Sequence, residues 1–300
     1  MNAKACLNSL RLRTLPLSLS GVIAGSLLSI NDAATYGPKL ALTITFLLLT
    51  TACLQLLSNL SNELGDTLHG TDSDDRQGKI YSLQNGELTI ADMHKLIRTM
   101  AMLCCIFGAL MIYFSFGTFL AVAPCALLLL GTAAIWAAIH YTLGKDPYGY
   151  KGGGDISVFI FFGLVSVCGA AFVLTHEFNP LLLLPASTIG AFSVGVLNIN
   201  NIRDMKSDAR TRVTTAIRLG EERSRIYQSI LLCGGWILII AFTLITGKYW
   251  QLIYCATLPL FVKILSDGWK KKDAELDTLV PILVISTFLF ALLLGIGNNI

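Results

Sequence analysis

Charge is scarce in this chain. Asp, Glu, Lys and Arg make up 14% of the residues, against roughly 25% in a soluble domain. That excludes a charge-rich solvated surface, and with it an ordinary soluble globule. Histidine is sparse too, with four scattered residues. No CxxC spacing occurs among the eight cysteines, and seven of them fall inside apolar runs. They read as small apolar packing residues rather than as disulfide partners or metal ligands. No cleavable leader is expected. The apolar stretch after Lys4, Arg11 and Arg13 runs on as a first span, without a small-residue cleavage site.

What the chain has is apolar length. Hydrophobic residues reach 54% and the mean hydropathy is +0.66. Nine runs are long enough to cross a bilayer: residues 15–31, 40–61, 95–115, 118–140, 156–176, 181–200, 226–247, 250–268 and 278–297. With the N-terminus in the cytoplasm, 20 of the 22 Lys and Arg residues fall on the cytoplasmic side. Only Lys39 and Lys248 fall on the other. Positive charge collects inside in this way. The expected fold is all-α and integral to a membrane. Nine transmembrane helices form one polytopic domain, residues 1–300, around a central cavity, with the longer polar loops cytoplasmic.

Two acidic stretches stand where spans 2 and 6 end. The first is NLSNELGDTLHGTDSDDR, Asn59 to Arg76, and the second NINNIRDMKSD, Asn198 to Asp208. Asn62 stands four residues before Asp66, and Asn200 four before Asp204. Residues four apart share a helix face. One face can therefore carry Asn59, Asn62, Glu63, Asp66 and Gly70, and the other Asn200, Asn201, Asp204 and Asp208. The four-span separation suggests a duplicated four-helix unit, with the ninth span an addition. Asn and Asp are weak helix formers, and acids at a membrane boundary are functional candidates by default.

Two chemistries compete for these acids. Mg²⁺ takes one or two carboxylates and completes its shell with water and phosphate oxygens, so two such faces can clamp a diphosphate. A proton or sodium path is the other, in an ion-coupled transporter with internal repeats. The bases favour a phosphate. Arg203, Lys206, Arg210, Arg212 and Arg218 interleave with the second face, and Arg76 and Lys79 close the first loop. Asp74 and Asp75 read as solvated loop residues. His69 fits either a substrate contact or a solvated position. Between the two acidic elements lies YTLGKDPYGYKGGGD, Tyr141 to Asp155. Its five glycines permit close backbone approach to a ligand, and Lys145 and Lys151 add positive charge.

These residues resemble the UbiA superfamily of intramembrane aromatic prenyltransferases, and within it the menaquinone-pathway branch. RTLPLS at Arg13–Ser18 is similar to that branch's opening. NELGDTLHGTD, Asn62–Asp72, resembles its first acidic motif, and NNIRDMKSD, Asn200–Asp208, with IRLG at Ile217–Gly220, its second. PYGYKGGGD, Pro147–Asp155, and FIFFGLVSV, Phe159–Val167, look like its central signature. The resemblance covers nearly the whole chain. It implies a cavity open to the membrane, Mg²⁺ as cofactor, and transfer of a polyprenyl group from its diphosphate to 1,4-dihydroxy-2-naphthoate with loss of the acceptor's carboxylate. 4-Hydroxybenzoate and homogentisate stay open as acceptors. It further implies that Asn62, Asp66, Asp72, Asn201, Asp204 and Asp208 hold diphosphate and Mg²⁺, with Arg76, Lys151 and Arg203 near the diphosphate.

The chain also departs from that pattern. Glu63 stands for an aspartate, Lys79 for a proline and Tyr81 for an arginine. Arg212-Val213 stands where Gly-Lys is usual. Arg212 is thus expected to replace the missing lysine against the donor diphosphate. Tyr141, Tyr148 and Tyr150 are candidate walls for an allylic cation or interface anchors, and Asp155 is a candidate base for the acceptor phenol. The expected partners are a polyprenyl diphosphate, a small aromatic acid and membrane lipid, with no nucleic acid. The expected location is a bacterial inner membrane, the site facing the cytoplasm.

Overall fold

The structure is a computed structural model that describes residues 2–70 and 81–300. Among the described residues nine helical spans are long and apolar enough to cross a membrane, and no strand occurs. In chain order, spans 1 to 9 are Ala3–Asp32, Pro38–Leu68, Ile90–Phe116, Val122–His140, Gly154–Thr175, Pro180–Arg203, Glu221–Thr246, Tyr249–Lys270 and Asp273–Asn298.

The expected number of spans is met, but several ends lie further out. Span 2 runs to Leu68 rather than stopping near residue 61. Its 31 residues extend about 46 Å at 1.5 Å per residue, against a hydrocarbon core of about 30 Å. A helix of that length can carry its Asn59–Leu68 end beyond such a core. Span 6 likewise continues through its asparagines to Arg203. Packing and side-chain hydrogen bonds outweigh the weak helix propensity of these residues. Span 1 is broken at Arg11, whose φ of 49° is left-handed. The break sets a short amphipathic helix, Ala3–Leu10, at an angle to the span proper. Span 3 begins at a capping box, in which Thr89 Oγ1 accepts from the Asp92 amide and Asp92 accepts from the Thr89 amide.

Spans 2 and 3 pack closely as a hairpin, and so do spans 6 and 7. Both acidic elements thus end the first arm of a helical hairpin, as a four-span repeat requires. Span 1 joins the halves by packing on spans 5 and 9. In lipid, helix association depends on close packing rather than on hydrophobic exclusion. A Cβ on Gly163 would meet the Ala186 carbonyl at 2.6 Å, so spans 5 and 6 touch backbone to backbone there. Around Gly163, Phe159–Val165 forms a π-helical segment, a feature frequent at functional sites.

The halves are packed differently. Spans 6 to 9 enclose Phe192, Trp236, Tyr254, Phe261 and Phe290, ring against ring. Spans 1 to 6 surround an apolar cavity of about 360 Å³. The cysteines are all free, with Cys53 and Cys104 buried in helix packing.

Candidate active site

A second cavity, about 210 Å³, lies where spans 2 and 6 end. The end of span 2 brings Asn62 and Asp66 to it. The end of span 6 brings Asn200, Asn201, Arg203 and Asp204. The glycine-rich loop supplies backbone at Gly149, Gly152 and Gly154, then Asp155. Arg212 arrives from the loop before span 7. The two cavities share Asn59, Asn62, Tyr141 and Asn200 on their walls, so the polar one continues into the apolar one.

The acids are tied to different partners. Tyr150 donates to Asp66 Oδ1 at 2.8 Å, and an Arg212 nitrogen lies 3.6 Å from the same oxygen. Arg212 also donates to Asp208 Oδ1 at 2.6 Å. Asp204 is gripped at both oxygens by its neighbour Arg203, at 2.9 and 2.6 Å. Arg203 donates further to Asp277, at the start of span 9. Asn62 accepts from Thr142 at 3.2 Å.

Asp66, Asp204 and Asp208 are all buried, and so is most of Arg212. Burial pushes the Asp208 carboxyl above its ordinary value, and the Arg212 charge offsets only part of that. Burial pulls the Arg212 guanidinium down, yet Asp66 and Asp208 outweigh it and hold the group above its usual range. Burial raises the Tyr141 phenol as well, which keeps it neutral beside the cavity.

Several expected residues take other places. Lys151 is mostly exposed, pairs with Asp146, and does not line the cavity. Gly152 follows it in a left-handed turn and carries the loop inward, leaving the lysine outside. Glu63 is fully buried but faces away from Asp66. It accepts from Ser9 at 3.1 Å and from the Leu83 amide at 2.8 Å, tying the N-terminal helix to the loop before span 3. One residue along a helix turns the side chain by about 100°, which moves Glu63 off the Asn62 side of span 2. Tyr148 donates to the Ala137 carbonyl at 3.0 Å and walls the apolar cavity. His69 stands edge-on to Tyr150, with ring centres 5.2 Å apart. Asp72, Asp74, Asp75, Arg76 and Lys79 lie outside the described residues.

Four residues join the site without having been singled out for it. Arg11 and Arg13 line the cavity, and Arg11 lies 3.7 Å over the Tyr81 ring. The sequence explained both by charge bias alone, although Arg13 opens the RTLPLS motif. Tyr227 donates to Asp155 at 3.0 Å across the loop. Asp277 reaches Arg203 over 74 residues, and no local pattern marks it.

The residues suit a divalent cation. Asp66, Asp204 and Asp208 are buried carboxylates, set among the guanidiniums of Arg11, Arg13, Arg203 and Arg212. The second oxygen of Asp208 is buried and has no hydrogen-bond partner. Among the described residues no group of three or more His, Cys, Asp or Glu side chains could hold a metal alone. Mg²⁺ does not need such a cage, because phosphate oxygens and water complete its shell.

The pattern of the UbiA prenyltransferase family matches residues 19–296. The chain belongs to that family. It is accordingly a prenyltransferase and an integral membrane protein. It is 38% identical to the 1,4-dihydroxy-2-naphthoate octaprenyltransferase of Escherichia coli strain K12 over 87% of this chain and 83% of that one. The Haemophilus influenzae enzyme of the same name is 37% identical, over 84% and 82%. A UbiA prenyltransferase domain-containing protein from Dictyostelium discoideum is 27% identical, over 88% and 78%. Among solved structures, a digeranylgeranylglyceryl phosphate synthase superposes over 99% of both chains, with a TM-score of 0.56 and 16% identity. That neighbour supports the UbiA fold and nothing narrower.

Proposed function

We propose that this chain transfers a polyprenyl group from a polyprenyl diphosphate to 1,4-dihydroxy-2-naphthoate. One observation carries the reading. A polar cavity lined by acids and guanidiniums runs directly into an apolar one. An amphiphile with a charged head and a hydrocarbon chain fits that pair. The naphthoate enzymes among the relatives support this acceptor. Asp66, Asp204 and Asp208, with Asn62, Asn201 and the motif residue Asp72, would hold Mg²⁺. Bound there, Mg²⁺ neutralises diphosphate oxygens and makes the diphosphate a better leaving group.

The chain's own residues supply the rest. Arg212 and Arg203, with Arg76 as the contact that the motif implies, would stabilise the diphosphate as it departs with the electron pair of its C–O bond. Phe161, Phe162 and Tyr141 line the route, exclude water from the allylic cation, and present ring faces that stabilise it. A ring carbon of the acceptor supplies the electrons of the new C–C bond, and the carboxylate leaves as CO₂. Asp155, held by Tyr227, takes the phenol proton as the ring attacks and returns it afterwards.

Residues 1–300 act as one unit in this reading, in a bacterial inner membrane with the site on the cytoplasmic face. The charge distribution supports that orientation. The test offers purified protein one labelled polyprenyl diphosphate, Mg²⁺ and a panel of aromatic acids. Label should enter 1,4-dihydroxy-2-naphthoate and EDTA should stop it. Transfer to 4-hydroxybenzoate or homogentisate, with none to the naphthoate, would overturn the assignment.

A further inference from the structure

We propose that Arg212 is the resident counter-ion of the acidic cluster, and that a divalent cation takes the cluster only by displacing it. The inference rests on the metal-assisted reading above. Arg212 sits between the two halves of the site. Its guanidinium donates to Asp208 at 2.6 Å and approaches Asp66 at 3.6 Å. Those carboxylates come from the second and the first acidic element. A cation shared by the two halves would compete for the same two carboxylates. Guanidinium and metal therefore exclude one another.

The fit of Arg212 is incomplete. A separation of 3.6 Å is too long for a hydrogen bond. Its Nε is buried without a partner, and so is the second oxygen of Asp208. Unpaired buried polar atoms are costly. The cluster holds a cation but is not saturated by it. Arg203 differs. It grips Asp204 at both oxygens and is tethered again by Asp277. Should Asp204 turn to a metal, Asp277 still retains Arg203. Among the described residues the ion-pair partners of Arg212 are Asp66 and Asp208 only. A metal on those two would leave the guanidinium only the Tyr150 ring, whose centre lies 5.8 Å away.

The backbone is ready for that exchange. The amide of Val213 donates to the Tyr150 carbonyl at 2.8 Å, and that of Arg212 to the Asp208 carbonyl at 2.9 Å. The loop is pinned at both residues, so only the long side chain has to move. Its new partner is the diphosphate that enters with the metal. Charge is conserved in the exchange: the carboxylates pass from guanidinium to metal, and the guanidinium passes to phosphate. Metal and diphosphate then bind together, and each binds poorly alone.

The experiment measures Mn²⁺ binding to the protein in nanodiscs by electron paramagnetic resonance, without donor or acceptor. Arg212→Gln should bind Mn²⁺ at least about tenfold more tightly than wild type, which corresponds to about 1.4 kcal/mol. Arg212→Lys keeps the charge on a shorter arm and should fall between them. It decides the matter if the glutamine variant does not fold. Asp66→Asn, added to Arg212→Gln, should remove the gain. Equal or weaker Mn²⁺ binding in the folded Arg212 variants would overturn the proposal, whatever their prenyl transfer. Tighter binding beside a wild type that transfers no prenyl group would uphold the competition and sink the functional reading instead.

Discussion

The two acidic elements share a spacing, yet they are held in different ways. The second is self-contained. Arg203 grips the very next residue, Asp204, and Asp277 anchors the pair from span 9. The first is completed from elsewhere. Asp66 is reached by Tyr150 from the glycine-rich loop and by Arg212 from beyond span 6. The repeat thus supplies two similar frames, and the connecting loops make them unequal. One frame is fixed within its own half. The other is assembled only when both halves meet.

The strongest way to break this comparison is to remove one acid from each frame. Asp66→Ala and Asp204→Ala should each lower turnover by at least about a hundredfold, the scale of losing one electrostatic stabiliser. Both variants should stay folded in the membrane, since little apolar packing is lost. Near-normal turnover in both, at matched expression, would remove the acids from the mechanism. A subtler cut is Asp277→Ala, which leaves Arg203 on Asp204 alone without touching either frame. It should lower kcat/KM on the order of tenfold, as expected for a lost charge-assisted contact. No change would make the span 9 anchor irrelevant to the site. The smallest effect belongs to Lys151→Ala. Its pair with Asp146 is exposed and exposed pairs are worth little, so kinetics should shift by less than about twofold. A larger loss would restore the role that the motif alone gave this lysine.

Lys151 shows where sequence reasoning stops. A motif tells which residues lie near a site, but a left-handed turn at Gly152 decides which side chain points into it. The nine spans were legible because long apolar runs have few alternatives in a membrane. Their inner ends were not. The apolar run of span 2 was expected to end near residue 61, whereas its helix continues through Asn62 and Asp66 to Leu68. Asn59 donates to the Leu10 carbonyl and to Thr14, both at 2.9 Å, and the helix is held in shape by such contacts. Glu63 was grouped with Asp66 on one helix face, and its partners Ser9 and Leu83 lie in segments that the sequence does not link to it. Asp277 could not have been found from local pattern, because its role exists only through Arg203. Arg212 was legible as a departure from the family, but its two carboxylate partners became visible only in three dimensions.

The central claim is that the two frames hold one diphosphate together. A double-mutant cycle on Asp66→Asn and Asp204→Asn tests it most directly. The reading is the affinity for an unreactive polyprenyl thiolodiphosphate in the presence of Mn²⁺. Residues that serve one bound group couple by roughly 0.5–3 kcal/mol, whereas independent sites add within about 0.5 kcal/mol. The account predicts that the double variant loses clearly less affinity than the two single losses combined. Strict additivity would contradict it, because each frame would then be binding on its own.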